Sequence, residues 1–262
     1  MRPYLAYVRA AALIAMQYRT ALFSSPVVTL IWILVLTRVW SQAYQGRPVV
    51  AGFTLQTTIV YLTLASLQAV VIDSPLPFVI AGRVRTGEVI FDVNRPIGFA
   101  GQMLALQAGQ TGTQLIVVLA AAPLAAWIGG LAAPAGVTAG LLYPVALLAG
   151  LVLNALLGLL IGLSAFWTVD NWGLSTLYRF VAAFLAGAAV PLTFLPGPLR
   201  AVAEALPFRF VVYEPAAIYV GQVQGAEAVR ALGLAVLWIV VVAGLVALVW
   251  RRAFRRVVIH GG

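Results

Sequence analysis

The side chains that most often carry chemistry are scarce in this sequence. There is no Cys, the single His is His260, and there is no Lys, since all sixteen basic residues are Arg. A P-loop needs a Lys to reach the phosphates of a nucleotide, and a serine nucleophile needs a positioned base. We therefore expect no enzyme active site, no metal centre and no cofactor bound by this chain. The energy for any active transport must then come from a partner.

The charged residues in or beside the apolar runs limit the membrane chemistry that is possible. Asp73, Asp170 and Glu214 fall at the ends of apolar runs or in a Pro-rich segment. Acids that would carry protons through a bilayer are therefore nearly absent, which disfavours a proton-coupled pump. Arg179 is the exception among the basic residues, because a charge within an apolar run is costly and often functional. We expect it to pair with Asp170 or a lipid phosphate, and contact with a substrate is the alternative.

The composition is that of a chain that crosses a membrane several times. Of its 262 residues, 63% are hydrophobic and 9% are charged, and the mean hydropathy is +1.03. Ordinary soluble domains are about one quarter charged. The Arg residues behind the net charge of +9 lie mostly between apolar runs, which is a topology signal, so we expect no nucleic-acid partner. Two of them interrupt the first apolar stretch, which we expect to be kept and not cleaved as a signal peptide.

Long uncharged runs predict an all-α membrane protein, a single transmembrane domain over 1–262 with six transmembrane helices. A helix needs about 20 apolar residues to cross about 30 Å of hydrocarbon. The predicted spans are 20–37, 48–72, 97–128, 137–169, 174–190 and 231–250. A Gly- and Pro-rich break at 129–136 divides the third span from the fourth. Pro48 is placed at the first position of the second span, where a helix tolerates proline.

Two further segments are helical but do not span. Residues 1–19 predict an amphipathic helix in the headgroup region, although the same residues could simply begin a long first span. Residues 74–96 form a polar island in which 78–85 predicts a short helix, ended by Gly87 in the left-handed conformation. With both termini in the cytoplasm, ten Arg residues fall inside and five outside. The positive-inside rule therefore predicts N-in and C-in and puts the island in the cytoplasm.

The stretch 191–229 is apolar but repeatedly broken. Its prolines are Pro191, Pro196, Pro198, Pro207 and Pro215. A proline inside a helix removes a backbone hydrogen bond and clashes with the preceding turn, so this stretch cannot be one straight helix. Non-helical backbone at membrane depth persists only where protein or water satisfies its polar groups. We therefore expect an external re-entrant helical hairpin that acts as a lid or gate.

Two sequence patterns resemble a known family. The hairpin carries Pro-Leu, Leu-Pro, Leu-Pro-Phe, Pro and Gly, in that order, at Pro191, Pro196, Pro207, Pro215 and Gly221. The island VRTGEVIFDVNRPI carries an Arg-x-Gly…Arg-Pro segment. In this order and spacing the chain resembles the permeases of ABC exporters of the second permease class (ABC-2 type). It is most similar to the six-span branch with the Arg-x-Gly…Arg-Pro segment, and the resemblance covers the whole chain by layout.

The resemblance implies a complex in the bacterial inner membrane. Two permeases, identical or related, would pair above two separate ABC ATPase subunits that bind ATP and Mg. The residues it implies for docking of a coupling helix into the ATPase are Phe78, Arg83, Arg85, Thr86, Gly87, Glu88, Asp92 and Arg95. Those implied for a translocation path between the second and fifth spans are Thr57, Tyr61, Gln68, Phe180 and Phe184. The external gate would be Pro191, Leu192, Pro196, Pro207 and Phe208.

Simpler explanations stand beside these roles. The Arg residues of the island could be a topology signal alone, and any single path residue could serve ordinary helix packing. A polar stripe on the third span that includes Gln107 is interpreted as packing, since polar side chains in a bundle often bond across helices. The expected function is export of an amphiphilic substrate such as a drug, peptide or lipid. The alternatives are a non-transporting membrane scaffold or sensor subunit and, third, an ion-driven carrier.

Overall fold

The fold is almost entirely helical. The computed structural model describes residues 2–17, 19–168 and 171–260, so Asp170, a predicted partner of Arg179, lies outside the described residues. The helices are α1 (Arg2–Gln17), α2 (Arg19–Ala43), α3 (Leu55–Val71), α4 (Leu76–Thr86), α5 (Val89–Val93), α6 (Phe99–Gly129), α7 (Val137–Leu163), α8 (Trp172–Leu185), α9 (Gly197–Ala205), α10 (Tyr213–Tyr219) and α11 (Gly225–His260). Single 3-10 turns cover Ser164–Phe166, Leu192–Phe194 and Pro207–Phe210, and β1 (Val49–Val50) pairs antiparallel with β2 (Phe53–Thr54). Apart from that small hairpin, the all-α prediction is confirmed for the described residues.

Five segments of the described chain are long and apolar enough to cross a membrane, which makes it a multi-pass membrane protein. They are Ser24–Ala43 in α2, Leu55–Thr86 across α3 and α4, Phe99–Gly129 in α6, Val137–Phe166 in and just after α7, and Gly225–Arg256 in α11. In place of the predicted fifth span, 174–190, the chain forms α8, which has 14 residues. At about 1.5 Å per residue it is shorter than the hydrocarbon layer of about 30 Å. The six-span layout stays a prediction.

The second span begins at Leu55 and not at the predicted Pro48. Residues 48–54 enter the β1–β2 hairpin instead. Thr54 then caps α3, because its hydroxyl accepts from the Thr57 backbone N–H while the Thr57 hydroxyl accepts from the Thr54 N–H. This reciprocal cap satisfies two free backbone donors and fixes the start of the helix.

α3 is the central helix of the bundle. Eleven of its 17 residues are buried, because α2, α6 and α10 pack around it. The outer faces of α2, α8 and α11 are apolar instead, with Trp32, Phe180 and Val240 each more than half exposed. Large exposed apolar surfaces mark contact with a membrane or with another protein.

One face of α7 approaches its neighbours very closely. It consists of residues spaced by four, Gly150, Asn154, Gly158 and Gly162, here called the α7 stripe. A Cβ added at Gly150 would lie 2.7 Å from the Phe210 carbonyl oxygen. A Cβ at Gly158 would lie 2.7 Å from Ser74 Oγ, and one at Gly162 would lie 2.6 Å from Ile80 Cδ1. Because small residues let backbones approach, α7 holds the 207–211 segment at its middle and α4 towards its end.

α1 lies lengthwise against α6. Tyr4 covers Gly101 and the Val8 backbone covers Gly109, so the two helices run side by side in the same direction. The helix predicted over 1–19 is therefore present as α1. Its predicted position in the headgroup region stays a prediction.

Candidate functional site

The polar island folds into two short helices, α4 and α5, which together form an elbow (residues 76–93). The helix predicted over 78–85 extends over Leu76–Thr86. Gly87 ends it at φ +77, and the Gly87 N–H donates to the Val84 carbonyl. Nothing lies within 4 Å of the place where a Cβ would be. Glycine is therefore favoured here by the left-handed backbone and not by lack of space.

The inner side of the elbow is held by a buried carboxylate. The Asp92 side chain is 5% exposed and accepts from Arg83 Nη1 at 2.5 Å and from Arg95 Nη1 at 3.1 Å. Gln102 Nε2 donates to the Asp92 carbonyl at 2.7 Å. Tyr7 Oη donates to Gln102 Oε1 at 2.8 Å and accepts from Arg95. Three of the predicted docking residues, Arg83, Asp92 and Arg95, thus tie α4 and α5 to α6 and α1.

The outer side of the elbow presents charged and apolar side chains together. Its exposed residues are Arg85, Thr86, Glu88, Ile90 and Phe91, here called the elbow surface. Three of them were predicted for docking, whereas Ile90 and Phe91, exposed by 43% and 69%, were not. Val89 and Asp92 are three apart and share the buried side of α5, which turns the two residues between them outward. This three-residue spacing indicates the exposure of Ile90 and Phe91 only when Asp92 is known to be buried.

The predicted path residues of α3 are engaged inside the chain. Tyr61 is fully buried, and its hydroxyl donates to the Gly187 carbonyl at 2.8 Å. Gln68 is 2% exposed and donates to the Tyr143 hydroxyl at 3.3 Å. Thr57 contributes to the cap of α3. Packing within the chain accounts for these three residues, and their role in a path stays a prediction.

The predicted path residues of α8, Phe180 and Phe184, are exposed, unlike Tyr61 and Gln68 of α3. Phe180 and Phe184 are 73% and 47% exposed, and Phe180 lines a cavity of about 420 Å³ between the end of α3, α7 and α8. Residues on its wall include Asp73, Asn154, Thr176, Arg179, Phe180 and Phe208. A second space of about 410 Å³ also has Asp73 and Arg179 on its wall. We call the two adjoining spaces the Asp73–Arg179 cavity. Asp73 and Asn154 were not predicted as site residues.

An ion pair lies where the two spaces meet. Arg179 Nη2 is 3.4 Å from Asp73 Oδ1. The guanidinium also lies over the ring of Phe78, 5.9 Å from its centre, so α8 touches the first turn of α4. Phe78, predicted to dock on the ATPase, is half-buried at this contact.

The break between α3 and α4 is fixed by side chains of α6 and α7. Asn154 Nδ2 donates to the Ile72 carbonyl at 2.5 Å. Ser74 Oγ donates to Gln107 Oε1 at 2.7 Å, which confirms the packing role predicted for Gln107. The backbone that carries Asp73 is therefore held from two sides.

The Pro-rich stretch forms a hairpin of α9, the turn Pro207–Phe210 and α10. Of the predicted gate residues, Pro191, Leu192 and Pro207 are buried, Phe208 is half-buried and Pro196 is exposed. The Tyr213 N–H donates to the Ala186 carbonyl just after α8. Phe210 and Val211 pack on Gly150 at the middle of α7, and the re-entrant position of the hairpin in the membrane stays a prediction.

A buried ion pair lies inside the hairpin. The Glu214 side chain is 5% exposed, and its Oε1 lies 2.6 Å from Arg209 Nη2. Burial raises the pKa of the Glu214 carboxyl, Arg209 lowers it in part, and Glu227 adds to the rise. In the part of the chain that the structure describes, no group of three or more His, Cys, Asp or Glu side chains is placed to hold a metal ion.

Comparison with known proteins identifies the family. The family described as ABC-2 family transporter protein matches residues 27–261, which begin within α2 and include all the later helices. A comparison with curated proteins found no match. The predicted resemblance to an ABC-2-type permease is confirmed by the family match, which covers most of the sequence. The chain therefore belongs to the ABC-2 family of transporter membrane proteins.

Proposed function

We propose that this chain is the permease subunit of an ATP-driven exporter and that its ATPase docks on the elbow surface. Membrane proteins of the ABC-2 family work with ABC ATPase subunits. In the proposed complex, two ATPase subunits bind ATP and Mg beneath two permeases, identical or related. The cargo is amphiphilic, such as a drug, a peptide or a lipid. It moves outward across a bacterial inner membrane, with both termini of the permease in the cytoplasm.

The observation that carries this proposal is the composition of the elbow surface. Phe91 is 69% exposed and lies beside the exposed charges of Arg85 and Glu88. An aromatic anchor within a polar rim is the usual anatomy of a protein–protein interface. Behind it, Asp92 braces the elbow against α6 and α1. A force on Phe91 is therefore expected to move α4 and α5 together and not to detach α5 from α4.

The α7 stripe offers such a push a route to the hairpin. α4 packs directly on Gly158 and Gly162, and the hairpin packs on Gly150 of the same helix. A displacement of α4 must either carry α7 with it or open the packing between them. We infer that closing of the ATPase pair reaches the hairpin through α7.

Co-purification from native membranes, with ATPase activity measured on the eluate, tests the docking proposal. Glu88→Arg and Phe91→Asp alter the elbow surface. Glu204→Arg is the matched control, the same charge reversal at an exposed site of α9. Losing an interface anchor costs about 2 kcal/mol or more, which is over about tenfold in affinity. We therefore expect both elbow variants to recover about tenfold less ATPase and the control to match the wild type.

Two results would change the proposal. If the wild-type chain brings down no nucleotide-hydrolysing partner in mild detergent, the exporter proposal fails, and a scaffold or sensor subunit or an ion-driven carrier is favoured. If the ATPase co-purifies but ATP moves no amphiphilic probe in reconstituted vesicles, the chain is a scaffold or sensor subunit. The chain alone is proposed to bind no cofactor and to have no enzymatic activity.

A further inference from the structure

The Asp73–Arg179 cavity contains an ion pair that is only half covered. The Asp73 and Arg179 side chains are 50% and 56% exposed, and the distance between Nη2 and Oδ1 is 3.4 Å, longer than the 2.7–2.9 Å or so of a strong charge-assisted hydrogen bond. In a chain that crosses a membrane, charged side chains turned towards a cavity usually mark a ligand or ion pathway. This pair therefore has capacity for further polar partners.

The backbone around Asp73 is held by hydrogen bonds from α6 and α7, although the two charged side chains are half exposed. Asn154 and Gln107 hold the chain on either side of Asp73. The Arg179 guanidinium lies over the Phe78 ring on α4. A ligand that enters here meets two pre-positioned opposite charges and not a flexible loop. Pre-positioned groups lose less entropy when a ligand binds.

Apolar surface continues outward from the charged end of the cavity. Phe180 lines the cavity and is 73% exposed, and Leu177 and Phe184 on the same helix are 61% and 47% exposed. Trp32 of α2 lies on the wall of the adjoining space. One end of the cavity thus suits a charged group and the other suits a hydrocarbon chain, which together describe an amphiphile.

The charge balance selects among amphiphiles. The pair is neutral overall, so a purely anionic or purely cationic ligand would attract one member and be repelled by the other. A like charge close by is repelled more strongly in a partly covered site than in open water. A head group with one charge of each sign satisfies Asp73 and Arg179 together. Arg also suits phosphate or carboxylate geometry.

We propose that the Asp73–Arg179 cavity binds the head group of a zwitterionic amphiphile, with its anionic group on Arg179 and its cationic group on Asp73. The apolar chain of the ligand lies along Phe180 and Phe184 of α8. That such a ligand is the cargo rests on the proposed export function, whereas its binding does not. The binding test below contains no ATPase, so it can fail or succeed independently of the docking test.

The test measures binding to the purified full-length chain in dodecyl maltoside micelles by native mass spectrometry. The probes share one dodecyl chain: dodecylphosphocholine is zwitterionic, dodecyl phosphate is anionic and dodecyltrimethylammonium is cationic. We expect the zwitterion to bind about tenfold more tightly than either singly charged probe, the factor that one charge-assisted contact supplies. Asp73→Asn should shift the preference to dodecyl phosphate, and Arg179→Gln should shift it to dodecyltrimethylammonium.

Two further variants keep the result interpretable. The swap Asp73→Arg with Arg179→Asp retains both charges and should restore the preference for the zwitterion even where the single variants misfold. Arg200→Gln removes an exposed Arg–Glu pair of similar kind on α9 and should change nothing. Equal binding of all three probes to the wild type, or an unchanged preference in folded single variants, would overturn the proposal. A dodecyl betaine arm, in which a carboxylate replaces the phosphate and the ammonium lies next to the alkyl chain, tells phospholipid-like ligands from other zwitterions.

Discussion

At the scale of single residues, the charges divide into those that hold the fold and those that face open space. Asp92 and Glu214 are buried and paired with Arg, so each carboxylate is held in one position within its element. Asp73 and Arg179 also form an ion pair, but both side chains are about half exposed and line a cavity. Burying a paired charge seldom adds net stability, so the buried pairs are expected to specify local geometry.

Stability is expected to fall as pH rises through the range in which Glu214 titrates. Burial raises the pKa of this carboxyl above 4.5, with Arg209 opposing the rise and Glu227 and Glu204 adding to it. The folded chain then keeps a proton that the unfolded chain releases. Its contribution to stability is present in full below the usual Glu pKa and is lost as pH rises through the raised value.

Thermal unfolding in micelles between about pH 4 and pH 8 measures this slope. Glu214→Gln cannot titrate and is expected to lose that part of the pH dependence. Glu204→Gln, which removes a carboxylate that is 40% exposed, serves as the control and should keep most of it. Equal slopes for wild type and Glu214→Gln would contradict the prediction.

At the scale of elements, local chemistry made some boundaries predictable and left others out of reach. The helix predicted over 78–85 and the break at 129–136 follow from Pro and Gly, whose backbone preferences act within a few residues. The start of α3 depends on strand pairing before Leu55, and the end of α8 depends on the hairpin that packs against it. Neither of these two helix boundaries can be recognised from a run of apolar residues alone. The ion pair between Asp73 and Arg179 joins distant parts of the chain, so the sequence gives no spacing from which to predict it.

Gly162→Leu is expected to force α4 away from α7. Even a single Cβ there would lie 2.6 Å from Ile80 Cδ1 and 3.1 Å from the Leu76 carbonyl oxygen. Overpacking of this kind costs about 1–3 kcal/mol, which should lower the thermal midpoint and uncouple the ATPase. The matched control is Gly112→Leu in α6, where nothing lies within 4 Å. If the two variants unfold at the same temperature, the close packing of α4 on α7 does not contribute to stability.

At the scale of the whole molecule, the predicted fifth span, 174–190, corresponds to α8 and the first residues after it. α8 stops after 14 residues, and the chain then turns back so that Phe210 reaches the middle of α7. The hairpin folds as short helices and 3-10 turns packed on α7, which is the form that the predicted re-entrant position would require of irregular backbone. The elbow and the hairpin are then expected on opposite sides of the membrane.

Single-cysteine labelling tests that topology without background, because the chain has no Cys. Thr86→Cys on the elbow surface and Pro198→Cys at the start of α9 are both exposed. In sealed right-side-out vesicles, a membrane-impermeant maleimide is expected to label Pro198→Cys alone. Arg252→Cys near the end of α11 should behave like Thr86→Cys. Labelling of both Thr86→Cys and Pro198→Cys from one side would contradict the N-in, C-in prediction.

The α7 stripe has a thermodynamic consequence for the complex. If the hairpin and the elbow bias one shared element, each site reports on the other through a single coupling free energy. If docking of the partner favours opening of the hairpin by some factor, then opening of the hairpin must raise the affinity for the partner by the same factor. A ligand that holds the hairpin closed should therefore weaken nucleotide-dependent docking of the partner on the opposite side of the membrane, although the two sites do not touch.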